Sequence, residues 1–268
     1  MTDKNVALIT LHGMGKEKPN YYSGLEEGLN KRLGDDWNKV SFQNINYASI
    51  LQGPQDELWR DMIGTPENDI DATILRKFLL YGFGDAGSLE YSAHRKKEKY
   101  LAVQKEIQNA LEHALLDFEK DTSRPVVIIA QSLGCQVISN YLWDAGKGKN
   151  IFENTDDIEP AKLKFLKLKS LKQLVTTGCN IPLFIGGISD RKCFKKPNSD
   201  FRWDNYYDPD DALGWPLRQL GDSFSIVNDH DINSGGFLTS WNPLSHGQYW
   251  SDADVIKPLA NKLKEFLP

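Results

Sequence analysis

Two stretches of the chain are apolar almost without interruption: Val6-Ala-Leu-Ile-Thr-Leu11 and Val126-Val-Ile-Ile-Ala130. Short β-branched runs of this kind, bounded by polar residues, read as strands buried on both faces, as in a parallel sheet. Val40–Tyr47, Leu171–Thr177 and Phe201–Tyr207 read as further strands, and Phe224–Val227 as the last. Between them the apolar positions change to helical spacing. Leu25, Leu29 and Leu33 mark one helix stopped by Gly34. Tyr100, Val103, Ile107, Leu111, Ala114 and Phe118 mark a second, ending before Pro125. Val137, Ile138, Tyr141 and Leu142 mark a third, directly after the second apolar run. Ile256, Leu259, Leu263 and Phe266 mark a C-terminal helix in which Pro258 is tolerable only near the start or at a kink. Strands alternating with helices predict an α/β fold: about six strands in one mostly parallel sheet, helices on both faces, in a single domain over 1–268.

The pattern fails between about residues 52 and 94. Gly53-Pro54, Thr65-Pro66, Gly82, Gly84 and Gly87 interrupt it, yet the stretch carries Leu58, Trp59, Met62, Ile63, Leu75, Phe78, Leu79, Leu80, Tyr81 and Phe83. So many large apolar groups are expected to be buried, and forty irregular residues exceed a simple connection. The expectation is a cap insertion over the strand ends, where open α/β sheets bind ligands. Lysines alternate with apolar residues from Leu163 to Leu171, which reads as the lead-in to the next strand.

Composition narrows the function classes. A net charge of −5 offers no electrostatic case for nucleic acid or an anionic membrane surface. Three widely spaced cysteines match neither a disulfide framework nor a zinc site. The start, Met-Thr-Asp-Lys-Asn, runs into a strand without the signature of a signal peptide, and no apolar run is long enough to span a membrane. A soluble protein of the reducing cytoplasm, without a metal or other cofactor, is expected.

The candidate chemistry lies where strand gives way to helix. In Ala130-Gln-Ser132-Leu-Gly134 the chain turns within about three residues with Ser132 at the apex, and the positions two before and two after it are small. This is a nucleophile elbow with Ala in place of the first Gly. It exposes a hydroxyl beside the free N–H groups of a helix N-terminus, which favour developing negative charge. The first strand ends in His12-Gly13-Met14-Gly15. A Walker A loop is excluded because position 10 is Thr and Glu17 follows Lys16; a dinucleotide fingerprint fails because Lys18 stands where a third Gly belongs. An oxyanion-hole loop remains.

Together the elbow and the strand-His-Gly-x-Gly segment resemble the α/β-hydrolase superfamily, in its lipase and esterase branch. The resemblance implies a serine hydrolase cleaving a carboxylic ester through an acyl-enzyme, with Ser132 as nucleophile and the Met14 and Leu133 amides as oxyanion hole. It implies the order serine, acid, histidine, with the acid in the loop after the strand at 201–207. That loop holds Asp208, Asp210 and Asp211; Asp211 aligns with the acid and Leu213 is expected to pack below it. Asp208 and Asp210 compete, since Asp-Pro-Asp also suits a local turn. Of the histidines, His246 in Leu244-Ser-His-Gly-Gln-Tyr-Trp250 resembles the family's base in location, ahead of His230 in Asn228-Asp-His-Asp231. The expected partner is a small ester with an apolar acyl group. A thioesterase, amidase or acyltransferase would use the same residues, and a catalytically silent binding protein is the rival from another class.

Overall fold

In a computed structural model the described residues are 4–13, 19–64, 76–77, 79–85, 87, 97–233 and 245–268. Six strands form one sheet in the order β2-β1-β3-β4-β5-β6, every neighbouring pair parallel. They are β1 (Val6–Leu11), β2 (Val40–Ile45), β3 (Val126–Gln131), β4 (Leu171–Thr177), β5 (Arg202–Tyr207) and β6 (Val227–Asp231). The helices are α1 (Ser23–Leu33), α2 (Ala48–Gly64), α3 (Glu98–Asp117), α4 (Leu133–Lys147), α5 (Pro160–Leu166), α6 (Ile181–Ile185) and α7 (Ala253–Lys264).

Both faces of the sheet are covered, which explains the unbroken apolar runs. On one face Val6, Leu8, Val127, Ile129 and Val175 pack against Leu25 and Leu29 of α1 and Val255, Leu259 and Leu263 of α7. On the other, Ala7, Ile9, Leu11, Val126, Ile128, Ala130 and Leu174 pack against Val103, Ile107 and Leu111 of α3 and Val137, Ile138 and Tyr141 of α4. Each large aliphatic side chain so buried contributes about 1.5–3 kcal/mol. Pro258 sits inside α7, beyond its first turn.

The strand order sets the location of the site. From β1 the chain steps to β2 on one side; from β3 it steps to β4 on the other. The crevice outside the carboxyl ends of β1 and β3 is therefore a topological switch point, where ligands bind in open α/β sheets.

Four expectations change. Residues 222–226 form a 3-10 turn, and the sixth strand is Val227–Asp231, so His230 lies within a strand instead of after it. This edge strand is polar because its side chains bond to Asp204 and Asn205 of β5, which leaves no apolar run to read. Residues 48–64 are helical through Gly53-Pro54, with Leu51, Gln52 and Gln55 buried on either side of the breakers. Pro160–Leu166 is a helix, capped by Glu159, whose carboxylate accepts the Ala161 and Lys162 amides at 2.8 and 2.7 Å. The apolar groups of the 52–94 region are not all buried: Leu58, Met62, Ile63, Leu79 and Phe83 are 40–50% exposed. Tyr81 is buried and donates to Asp56, and Gln55 donates to Asp85 at 2.8 Å, joining α2 to the helical residues 79–85. Leu75 and Phe78 lie outside the described residues. Among the described residues no helix is long and apolar enough to cross a membrane.

Candidate active site

Because all six strands are parallel, the residues that follow them line one edge of the sheet. Ser132, after β3, has φ 51° and ψ −120°, a left-handed conformation that a side chain rarely adopts. Two backbone bonds hold it there: its N–H donates to the Thr177 carbonyl of β4 at 3.0 Å, and its carbonyl accepts the Cys135 N–H at 3.0 Å. The small residues around the elbow are sterically required. A Cβ on Gly134 would lie 2.6 Å from the His12 carbonyl oxygen and 2.8 Å from that of Leu11; one on Gly13 would lie 3.1 Å from Ser132 Cβ. The end of β1 therefore passes directly against the elbow. Leu133 opens α4, so its N–H has no carbonyl of its own helix to donate to.

His12 belongs to the scaffold of this edge. Its Nε2 accepts the Tyr47 N–H at 3.1 Å, which places the ring proton on Nδ1, where it donates to the Gly13 carbonyl at 2.7 Å. The ring stacks on Tyr47, centroids 4.1 Å apart, and the Tyr47 hydroxyl donates to the His12 carbonyl. Burial pushes its pKa down to about 4, against the smaller raising effect of the bond to Gly13. His12 is thus a neutral imidazole with both nitrogens engaged, and it fixes the Gly13 carbonyl. Met14 lies outside the described residues.

The loop after β5 holds two buried aspartates. Asp211 accepts the Leu213 N–H at 3.0 Å on one carboxylate oxygen and the Tyr249 hydroxyl at 2.9 Å on the other. The Tyr249 oxygen in turn accepts the Asp208 N–H at 3.1 Å. Asp208 accepts the Asp210 N–H at 2.9 Å, a local turn contact, and Asp210 is exposed. Leu213 is only partly buried; Leu217 is the fully buried aliphatic residue of this loop. Asp229 of β6 closes it by accepting the Leu217 and Arg218 amides and the Asn205 side chain at 2.8–3.1 Å.

Tyr249 belongs to the 3-10 turn Ser245–Ser251, so its hydroxyl ties that turn to both aspartates. The backbone of His246 lies in the same turn, three residues earlier; its side chain is outside the described residues. His230 is held elsewhere. Its Nε2 meets Asp204 at 2.9 Å, its ring stacks on Tyr206, and its side chain is 42% exposed on the edge strand. Among the described residues no cluster of three or more His, Cys, Asp and Glu is arranged to hold a metal ion.

One residue of the edge carries no signal in the sequence. Asn180, three positions past β4, is fully buried, and its Nδ2 donates to Ser132 Oγ at 3.4 Å. Sequence reasoning stops at the end of the strand; only the pairing of β4 with β3 shows that a polar residue there faces the elbow.

No family model matches the chain, and no curated protein matches it in sequence. Among the solved structures that match it, two that align over nearly the whole chain are each 12% identical. An iodinated complex of acetyl xylan esterase gives a TM-score of 0.42 over 98% of each chain. A second structure of acetylxylan esterase gives 0.41 over 99% of this chain and 100% of its own.

Proposed function

We propose that this protein is a serine hydrolase of the α/β-hydrolase type that cleaves a carboxylic ester through an acyl-enzyme. The observation that carries the reading is Ser132 itself: a non-glycine residue held at positive φ between strand and helix, at the switch point of a parallel sheet. Backbone strain of this kind costs about 1–3 kcal/mol, persists only where the surrounding structure over-determines it, and clusters at active sites.

In this reading His246 takes the Ser132 proton as Oγ attacks the ester carbonyl. Asp211 holds the imidazole in the tautomer whose free nitrogen faces the serine. The link from Asp211 through Tyr249 to the turn that carries His246 supports this pairing, and it favours Asp211 over the exposed Asp210. The Leu133 amide, free at the start of α4, and the Met14 amide receive the oxyanion. The collapsing tetrahedral intermediate expels the alcohol, which takes the proton back from His246, and water repeats the sequence on the acyl-enzyme. Residues 52–94 form a cap in this reading, with an apolar acyl group as the preferred cargo. A thioester or amide would pass through the same steps, and matched substrate series separate them.

The test is covalent labelling. A fluorophosphonate probe is expected to modify Ser132 in the wild type, and Ser132→Ala is expected to lose both labelling and at least ~10³-fold in kcat on short acyl esters. Ester turnover at wild-type rate in purified Ser132→Ala removes the reading. A folded wild type that neither labels nor turns over ester marks a silent scaffold.

A further inference from the structure

Asn180 uses only half of its amide. Nδ2 donates to Ser132 Oγ at 3.4 Å, whereas Oδ1 is buried and has no hydrogen-bond partner among the described residues. Asn180 is the N-cap residue of α6, but its side-chain oxygen caps nothing: the second helical residue is Pro182, which has no N–H, and the Leu183 N–H is taken by the Asn180 carbonyl. The side chain points at the nucleophile, leaving a buried carbonyl oxygen without a donor. A buried acceptor left this way costs more than an ordinary hydrogen bond returns. The backbone around it is fixed: the Gly178 N–H donates to Tyr206, the Cys179 carbonyl accepts the Trp215 N–H, and the Asn180 carbonyl accepts the Leu183 N–H, each at 3.0 Å.

We propose that Asn180 is a specificity residue of the ester site, whose Oδ1 accepts a hydrogen bond from a hydroxyl that the substrate carries close to the scissile carbonyl. The preferred substrates are then esters that carry such a hydroxyl beside an otherwise apolar acyl chain. This rests on the hydrolase reading of Ser132. Both heteroatoms of an amide are bonded to one carbon, so the unpaired oxygen stands within the width of one amide group from the nitrogen that meets Oγ. A group on the acyl carbon next to the carbonyl, or on the second carbon of the alcohol, lies at that range from the attacked carbonyl. A hydroxyl suits the dry surroundings, because a neutral donor loses far less on leaving water than an ammonium does. The bond from Nδ2 has a compatible effect. An Oγ that accepts from Asn180 keeps its own proton for the base.

The experiment compares kcat/KM on two matched pairs. Ethyl 2-hydroxybutyrate against ethyl 2-methylbutyrate places the hydroxyl on the acyl side; 2-hydroxyethyl butyrate against propyl butyrate places it on the alcohol side. The wild type is expected to favour the hydroxylated member of one pair about tenfold, the effect of one neutral hydrogen bond. Asn180→Ala is expected to bring that ratio to within about twofold of unity, whatever happens to the absolute rate. Asn180→Asp, which keeps an acceptor oxygen at the position, is expected to retain it. A wild type that shows no preference in either pair overturns the proposal without any variant, and so does a preference that survives in Asn180→Ala. Fluorophosphonate labelling of the wild type separates the two levels. Labelled protein with level ratios, or with no turnover of the four esters, overturns the role of Asn180 alone; protein that does not label overturns the hydrolase reading and this one together.

Discussion

At the scale of single residues, the edge of the sheet is built by side chains whose partners are fixed before any substrate arrives. His12 shows the consequence for stability. Its folded pKa of about 4 lies below the ordinary 6.5, so the unfolded chain takes up a proton in a range where the folded protein does not. Stability from this group is therefore complete above pH ~6.5, declines as pH falls, and levels off below about 4, a loss of at most about 3 kcal/mol. His12→Gln is expected to lack that component. Urea midpoints at pH 7.5 and pH 4.5 check it: the wild type should lose more stability between them than the variant, and equal losses would mean that His12 titrates as it does in water. The elbow was legible at this scale because its requirement is steric and local, as the near-collision of a Gly134 Cβ with the His12 carbonyl makes plain. Asn180 was not legible. Its meaning comes from the neighbouring strand, forty-eight positions away in the chain.

At the scale of elements, the Tyr249 phenol ties the 3-10 turn Ser245–Ser251 to the loop after β5. Tyr249→Phe keeps the buried ring and removes the oxygen that bridges the Asp208 amide and the Asp211 carboxylate. The expected cost is about 1–3 kcal/mol in stability, since both groups are buried. In the proposed mechanism the same change loosens the acid against the base, so kcat on a short ester should fall while KM changes little; an unchanged kcat would detach Tyr249 from catalysis. Elements that obey one rule throughout were readable in advance. β4 runs from Leu171 to Thr177 as its apolar pattern predicts. β6 escaped because an edge strand that bonds sideways to Asp204 and Asn205 needs no apolar face. α2 escaped because burial of Leu51 and Gln55 outweighs Gly53-Pro54, and burial is a property of the folded whole.

At the scale of the molecule, alternation of strand and helix was enough to give a parallel sheet with both faces covered. The order of its strands, and with it the switch point beside Ser132, came only from the structure. One contact across the covering layer bears on how the chain comes to be assembled. α7 lies on α1 so closely that a Cβ on Gly28 would fall 2.6 Å from Ile256 Cδ1, and one on Gly24 would fall 3.1 Å from Ser251 Cβ in the turn before α7. The two helices complete the same apolar layer over β1 and β3. A ribosome delivers α1 more than two hundred residues before α7, so during synthesis the first helix waits with Leu25, Leu29 and the underside of β1 without their cover. Nascent chains halted before residue 253 are expected to be cut by protease within α1, and chains halted with α7 outside the exit tunnel to resist. Protection of α1 at the shorter lengths would show that half of the layer holds without the other. Ser132, Asp211 and the turn that follows them have then all been synthesised while the earliest helix still lacks its cover.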